Sequence, residues 1–219
     1  MESSIKENIK AYTEELGENI DLVAVSKTKP NQDLMEAYEA GQRIFGENKV
    51  QEMTDKWETL PKDIQWHMVG HVQTNKVKYM APYVDLIHAV QKMKLLKEIN
   101  KRAKENDRVI NCLLQVKIAE EDSKYGMSPE ELKAFLKDEK LSDFKNVKLK
   151  GLMGMATFTD DENQIHREFQ ALQNLYEETS KTQPDFSILS MGMSGDYKIA
   201  MQHGTNMVRI GSSIFGARH

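Results

Sequence analysis

The chain of 219 residues has a single cysteine, Cys112, so no disulfide can close within it. That cysteine sits in the apolar run Val109-Ile110-Asn111-Cys112-Leu113-Leu114, where a thiol behaves as a small buried hydrophobe rather than a nucleophile. No run approaches the roughly 18 apolar residues that read as a membrane-spanning helix. The opening Met1-Glu2-Ser3-Ser4-Ile5-Lys6-Glu7 lacks the apolar stretch of a secretory signal, and a cytoplasmic location is the expectation. No Pro/Gly/Ser-rich linker or low-complexity tract divides the chain, so one domain over residues 1–219 is expected. A net charge of -4 argues against a general nucleic-acid binder, whose phosphate contacts need a concentrated basic surface. Lys145, Lys148 and Lys150 form a local basic cluster that follows the acidic Asp138, Glu139 and Asp143 and read as a solvated face. His67, His71 and His88 show no metal-ligand spacing, so no metal site is inferred.

What the chain does have is alternation. Ile5, Ile9, Tyr12 and Leu16 lie at helical spacing in residues 3–16 and predict a leading helix. Ile20 to Lys27 then reads as a buried strand with a polar end, and Pro30-Asn31-Gln32-Asp33 opens a helix that Gly41 closes. Further strand candidates are Arg43–Gly46, Gln65–Gly70, Val84–Val90, Val109–Ile118, Leu149–Met155, Phe186–Met191 and Met207–Ile210. Helical stretches between them include 91–106, 129–139 and 161–181. Ser128 is placed as an N-cap, with Pro129 at the first helical position and Glu131 set for a capping box.

Alternating strands and helices imply parallel pairing, because returning to the same edge needs a crossover. Eight such units predict a closed α/β barrel of the (β/α)8 TIM type with an extra N-terminal helix. An open doubly wound sheet is the rival. It lacks support, since the first strand ends in Ser26-Lys27-Thr28-Lys29-Pro30 with no G-x-G-x-x-G fingerprint.

Function in a parallel barrel gathers at the carboxyl ends of the strands. Lys27 ends the apolar run Leu22-Val23-Ala24-Val25; partial desolvation there would favour the neutral amine, the form that attacks an aldehyde to give a Schiff base. It also reads as a strand-end lysine in solvent, and Lys29 is its nearest competitor. Ser190 to Asp196 follows the seventh strand and Arg209 to Gly216 the eighth, both rich in glycine and serine. Small residues let backbone N–H groups approach an anion, and these are the two loops where such barrels hold phosphate. Arg209 lies inside an apolar strand and needs a partner, for which a carboxylate on a neighbouring strand is one possibility. His67, between Trp66 and Met68, reads as a hydrogen-bonded core residue.

Taken in order, Ala24-Val25-Ser26-Lys27-Thr28-Lys29-Pro30, Phe45 to Glu52, Trp66 to Lys76, Gly151-Leu152-Met153, Leu189 to Ser194 and Val208 to Gly216 resemble the pyridoxal phosphate homeostasis proteins (the YggS/PROSC family) over nearly the whole chain. The resemblance implies a barrel like the N-terminal domain of alanine racemase, a fold-type III pyridoxal 5′-phosphate (PLP) protein. It implies that Lys27 holds PLP as a Schiff base and that Ser194, Gly211 and Ser212 hold its phosphate. Arg209 matches the arginine facing the pyridine nitrogen; Asn48 and Met193 match positions near the ring. A permanently charged donor at that nitrogen discourages its protonation and weakens the ring as an electron sink.

The implied role is a monomeric carrier in vitamin B6 homeostasis, with PLP-dependent apoenzymes as recipients, no catalytic residue and no strong activity. The alternative is an amino-acid racemase, which adds a β-rich second domain that supplies a second acid/base. Only three residues follow Gly216 in this sequence, so the carrier is the expectation. A barrel holding some other phosphorylated metabolite, with Lys27 as a charge contact, is a third reading and predicts a colourless protein.

Overall fold

The structure, a computed structural model, describes residues 4–120 and 125–216. Each apolar run becomes a strand: β1 (Asp21–Val25), β2 (Ile44–Glu47), β3 (Gln65–Met68), β4 (Val84–Val90), β5 (Ile110–Gln115), β6 (Val147–Met153), β7 (Ile188–Met193) and β8 (Met207–Ile210). All neighbours pair in parallel. The eighth strand returns to the first, with Leu22 opposite Val208 and Val23 opposite Arg209, and the sheet closes as a barrel.

Helix α1 (Ile5–Leu16) precedes the barrel. The crossovers are α2 (Asn31–Glu39), α3 (Val50–Thr59), α4 (Val77–Met80), α5 (Met93–Glu105), α6 (Pro129–Leu136), α7 (Glu162–Ser180) and α8 (Tyr197–Gln202), and α9 (Ser212–Phe215) follows β8. The (β/α)8 barrel with an extra leading helix is therefore the fold observed. Its helix starts are encoded locally: Ser4 with Glu7 and Ser128 with Glu131 form complete capping boxes.

Element ends differ from the sequence reading where tertiary contacts intervene. The first strand stops at Val25 rather than Lys27, because Ser26 to Lys29 forms a turn closed by the Lys29 N–H on the Ser26 carbonyl at 3.1 Å. Thr28 takes φ 65° in that turn. The helix expected over 129–139 stops at Leu136, and Glu139–Asp143 makes a separate 3₁₀ turn.

Alternation along the strands separates two apolar layers. Leu22, Ala24, Trp66, Met68, Val208 and Ile210 face outward into the core shared with the helices. Val23, Leu86, Ala89, Leu113, Met153 and Met207 fill the barrel interior. Two residues further along β1, β5 and β8 come Val25, Gln115 and Arg209, which line a cavity at the carboxyl end. Burial of Cys112 is complete and pushes its thiol pKa up. No helix among the described residues is long and apolar enough to cross a membrane.

Candidate functional site

The cavity has a volume of about 850 Å³, and Lys27, Asn48, Met193, Ser194, Arg209, Gly211 and Ser212 all line it. Residues spread over 186 positions of sequence thus meet at the mouth where strand ends converge. A volume in this range suits a small-molecule cofactor or metabolite.

Arg209 is buried at 5% exposure. Its guanidinium donates to Ser190 Oγ at 2.6 Å and to the Gly154 carbonyl at 2.9 Å, both neutral acceptors, in place of a strand carboxylate. Burial pulls its pKa down to about 10, with Asp196 opposing, so it is cationic at neutral pH. Asp196 in turn is pushed up by burial and accepts the Met193 N–H at 2.6 Å, which tightens the loop after β7.

Lys27 stands in the turn after β1, half-buried. Lys29 lines the same cavity but donates its Nζ to the Phe215 carbonyl at 2.8 Å. Across the mouth, the Gly211 N–H lies 3.4 Å from Ser194 Oγ, and the Ser194 and Ser212 hydroxyls are 3.5 Å apart. A Cβ on Gly211 would come within 3.0 Å of the Val25 carbonyl oxygen, so glycine is what lets this loop lie against the end of β1. Asn48 is pressed from below, because Gly70 packs on its backbone closely enough that a Cβ there would sit 2.6 Å from the Asn48 carbonyl oxygen. The Asn48 amide oxygen is buried and has no protein partner.

Beneath the cavity, His67 on β3 and His88 on β4 share a hydrogen bond of 3.1 Å, as the core reading of His67 expected. Both are buried. Burial brings the His67 pKa down to about 3, and burial, His67 and Arg209 together lower that of His88. The native state therefore holds fewer protons here than the unfolded chain, whose histidines titrate near 6.5. Stability is present above pH 6.5 and is lost as pH falls through the window from 6.5 toward 3. Between pH 7 and 5, above the ordinary carboxylate range, His67 alone should cost about 2 kcal/mol. Thermal melts of the native protein and of His67→Gln across that window check this; equal slopes for the two would remove the histidine from the effect.

Several site features escaped the sequence reading. Tyr125, Met155 and Phe158 are exposed apolar side chains at the rim, Phe158 completely so, where composition alone would have assigned them to the core. Asp196 was passed over within its glycine/serine loop, and the buried cluster of Glu47 and Lys56 gave no local signal, since charged residues at a strand end and on an amphipathic helix read as solvated.

A parallel eight-stranded barrel with a cationic, glycine-cradled mouth places the protein among the barrels of the alanine racemase N-terminal class. The family profile described as "Alanine racemase, N-terminal domain" matches residues 2–219. More narrowly, the chain belongs to the pyridoxal phosphate homeostasis protein family. It is 38% identical to the "Pyridoxal phosphate homeostasis protein" of Vibrio alginolyticus, over 99% of this chain and 98% of that one. Among solved structures, PipY of Synechococcus elongatus with PLP bound is 33% identical, with a TM-score of 0.88 over 97% of this chain and 100% of that one. Alanine racemase of Streptomyces lavendulae shares the fold at a TM-score of 0.83 and 15% identity, over 98% of this chain and 57% of that one.

Proposed function

We propose that this protein binds PLP in the barrel mouth, holds it covalently on Lys27, and serves in vitamin B6 homeostasis rather than as an efficient enzyme. The observation that carries the reading is the convergence of Lys27, Arg209 and the Ser194–Gly211–Ser212 turn on one cavity. Its residues fit the cofactor. Gly211 and Ser212 bring a backbone N–H and a hydroxyl within 3.5 Å of the Ser194 hydroxyl along the lining, and the Asn48 amide oxygen is a buried acceptor awaiting a donor. PLP supplies an aldehyde that forms a Schiff base with an amine.

Each residue then has a task. Lys27 contributes the amine. Ser194, Gly211 and Ser212 offer hydroxyl and amide donors to the phosphate, at a turn whose first N–H groups have no intrahelical acceptor. Arg209 faces the pyridine nitrogen as a cation that keeps that nitrogen unprotonated, and Asn48 and Met193 flank the ring. A ring nitrogen without a proton is a weak electron sink, which disfavours carbanion chemistry and suits storage or delivery of the cofactor. The near-full-length similarity to homeostasis proteins, against a fold-level likeness to racemases, supports the same choice. Residues 1–219 would act as one domain in this role.

The test is a visible spectrum of the purified protein before and after borohydride, followed by peptide mass analysis. A yellow protein bleached by borohydride, with the adduct on the Lys27 peptide, is the expected result. A colourless protein that binds only other phosphorylated metabolites would overturn the reading.

A further inference from the structure

Lys27 rides on a turn, and that turn is gripped by a buried ion cluster lying outside the cavity. Lys56, on α3, is 5% exposed. Its ammonium donates to the Ser26 carbonyl at 2.8 Å, to Glu47 Oε1 at 2.7 Å and to Glu52 Oε1 at 2.8 Å, which uses all three of its N–H bonds. The same Glu52 oxygen accepts the Thr28 N–H at 2.5 Å. Glu47, fully buried at the end of β2, also receives the Ser26 hydroxyl at 2.6 Å and anchors the cluster to the barrel.

The Ser26 carbonyl belongs to the peptide unit before Lys27, and the Thr28 N–H to the peptide unit after it. Both units that bracket Lys27 therefore end on one ionic triad. The turn needs such a grip. Its third residue takes φ 65°, a position that glycine fills at no steric cost and asparagine tolerates, and a β-branched threonine persists there only where its surroundings over-determine the backbone. A well-packed apolar residue at position 56 would avoid the desolvation that a buried ion pair carries. It would have nothing to offer the Ser26 carbonyl. Placement, more than stability, is what the charges provide.

We propose that Lys56, Glu47 and Glu52 form a positioning triad that fixes the backbone of Lys27 so that its amine meets an aldehyde in the cavity. This deepens the PLP reading above and rests on it. In the step concerned, the Lys27 nitrogen adds to the aldehyde carbon, a C–N bond forms, and the carbonyl oxygen leaves as water with two protons from the amine. The triad touches none of these atoms. It acts through the geometry of the turn, where a displacement of about 1 Å can slow a reaction by roughly a hundredfold.

The experiment uses the full chain freed of cofactor and pyridoxal as probe, an aldehyde without phosphate, so that the anion cradle does not mask the effect. Adduct trapped by borohydride on the Lys27 peptide is followed over time, beside the thermal midpoint. Lys56→Met and Glu52→Ala should slow trapping at Lys27 by about tenfold or more. Glu52→Gln, whose amide oxygen still accepts from Thr28 and Lys56, should stay within about twofold of the native rate, a rescue that general destabilisation would not give. Native-like trapping rates in both Lys56→Met and Glu52→Ala would overturn the proposal, whatever their melting temperatures. Should Lys56→Met not fold, Glu52→Ala decides alone, because Glu52 is partly exposed. A native protein that never traps pyridoxal or PLP on Lys27 would sink the PLP reading itself, and this inference with it.

Discussion

On the proposed PLP reading, Lys27→Ala is expected to abolish the borohydride-sensitive visible band and to weaken PLP retention by at least about a hundredfold, some 2.7 kcal/mol. That is a fraction of the roughly 7–11 kcal/mol that a well-oriented intramolecular reaction can draw on, because Arg209 and the Ser194–Gly211–Ser212 turn still line the cavity and, on the same reading, would hold the cofactor without a bond. The fold should be indifferent. Lys27 is half-buried in a turn after β1, and surface-type substitutions of this kind change stability by about 0.5 kcal/mol or less. Equilibrium dialysis with PLP, read beside a thermal melt, separates the two effects. A variant that keeps both colour and affinity would transfer the amine's role to another residue. Lys29 is the neighbour in the cavity, although its Nζ is engaged by the Phe215 carbonyl.

Gly151→Ala produces the largest loss of stability of any substitution considered. Gly151 has φ 148°, and a Cβ there would lie 1.8 Å from the Ile188 carbonyl oxygen. That contact is backbone on paired strands, so nothing flexible can yield. The register between β5 and β6 shifts at this point, where Cys112 faces Leu149 and Leu113 faces Gly151, and a glycine at such an irregularity lets two backbones approach. The methyl group must push β7 away from β6, at a cost of about 3 kcal/mol or more and a fall in melting temperature of roughly 6–12 °C for a chain of this size. The damage reaches the site: three residues on, the Gly154 carbonyl accepts Arg209, and the Gly154 N–H donates to the Ser190 carbonyl at 3.1 Å. Denaturant titration of Gly151→Ala measures the loss, and a change below about 1 kcal/mol would mean that the strand pair accommodates the methyl group.

Local patterns carried the architecture. Apolar runs of strand length alternating with helical periodicity determine the eight strands, the crossovers and the leading helix, because side-chain direction repeats every two residues in a strand and every 3.6 in a helix. Capping chemistry is equally local, and Ser128-Pro129-Glu130-Glu131 marked the start of α6 before any packing was known. The cavity residues were legible for a different reason: polar and small residues interrupt apolar strands near their carboxyl ends, and their order resembles that of a known family.

Charge environments were not legible in this way. Lys56 sits on a helix whose other charges are largely exposed; only the closed barrel brings Glu47 and the Ser26 carbonyl beneath it. Phe158 carries the opposite lesson, an apolar side chain left in solvent at the cavity rim. Burial is a property of what folds over a residue, and the sequence around it does not contain that information.

By itself, then, the sequence determined the closed parallel barrel and the helix start at Ser128, and it marked Lys27, Arg209 and two glycine/serine loops at the barrel mouth, since these follow from periodicity and residue chemistry along the chain. Asn48 and Met193 were marked by family resemblance alone. Tertiary structure alone decided that the first strand ends before Lys27, that Arg209 is held by Ser190 and Gly154 instead of a carboxylate, and that one buried ion cluster brackets the turn carrying Lys27. Those outcomes depend on distances between residues far apart in the chain, set by strand register and by the cost of leaving charge unpaired in a dry interior.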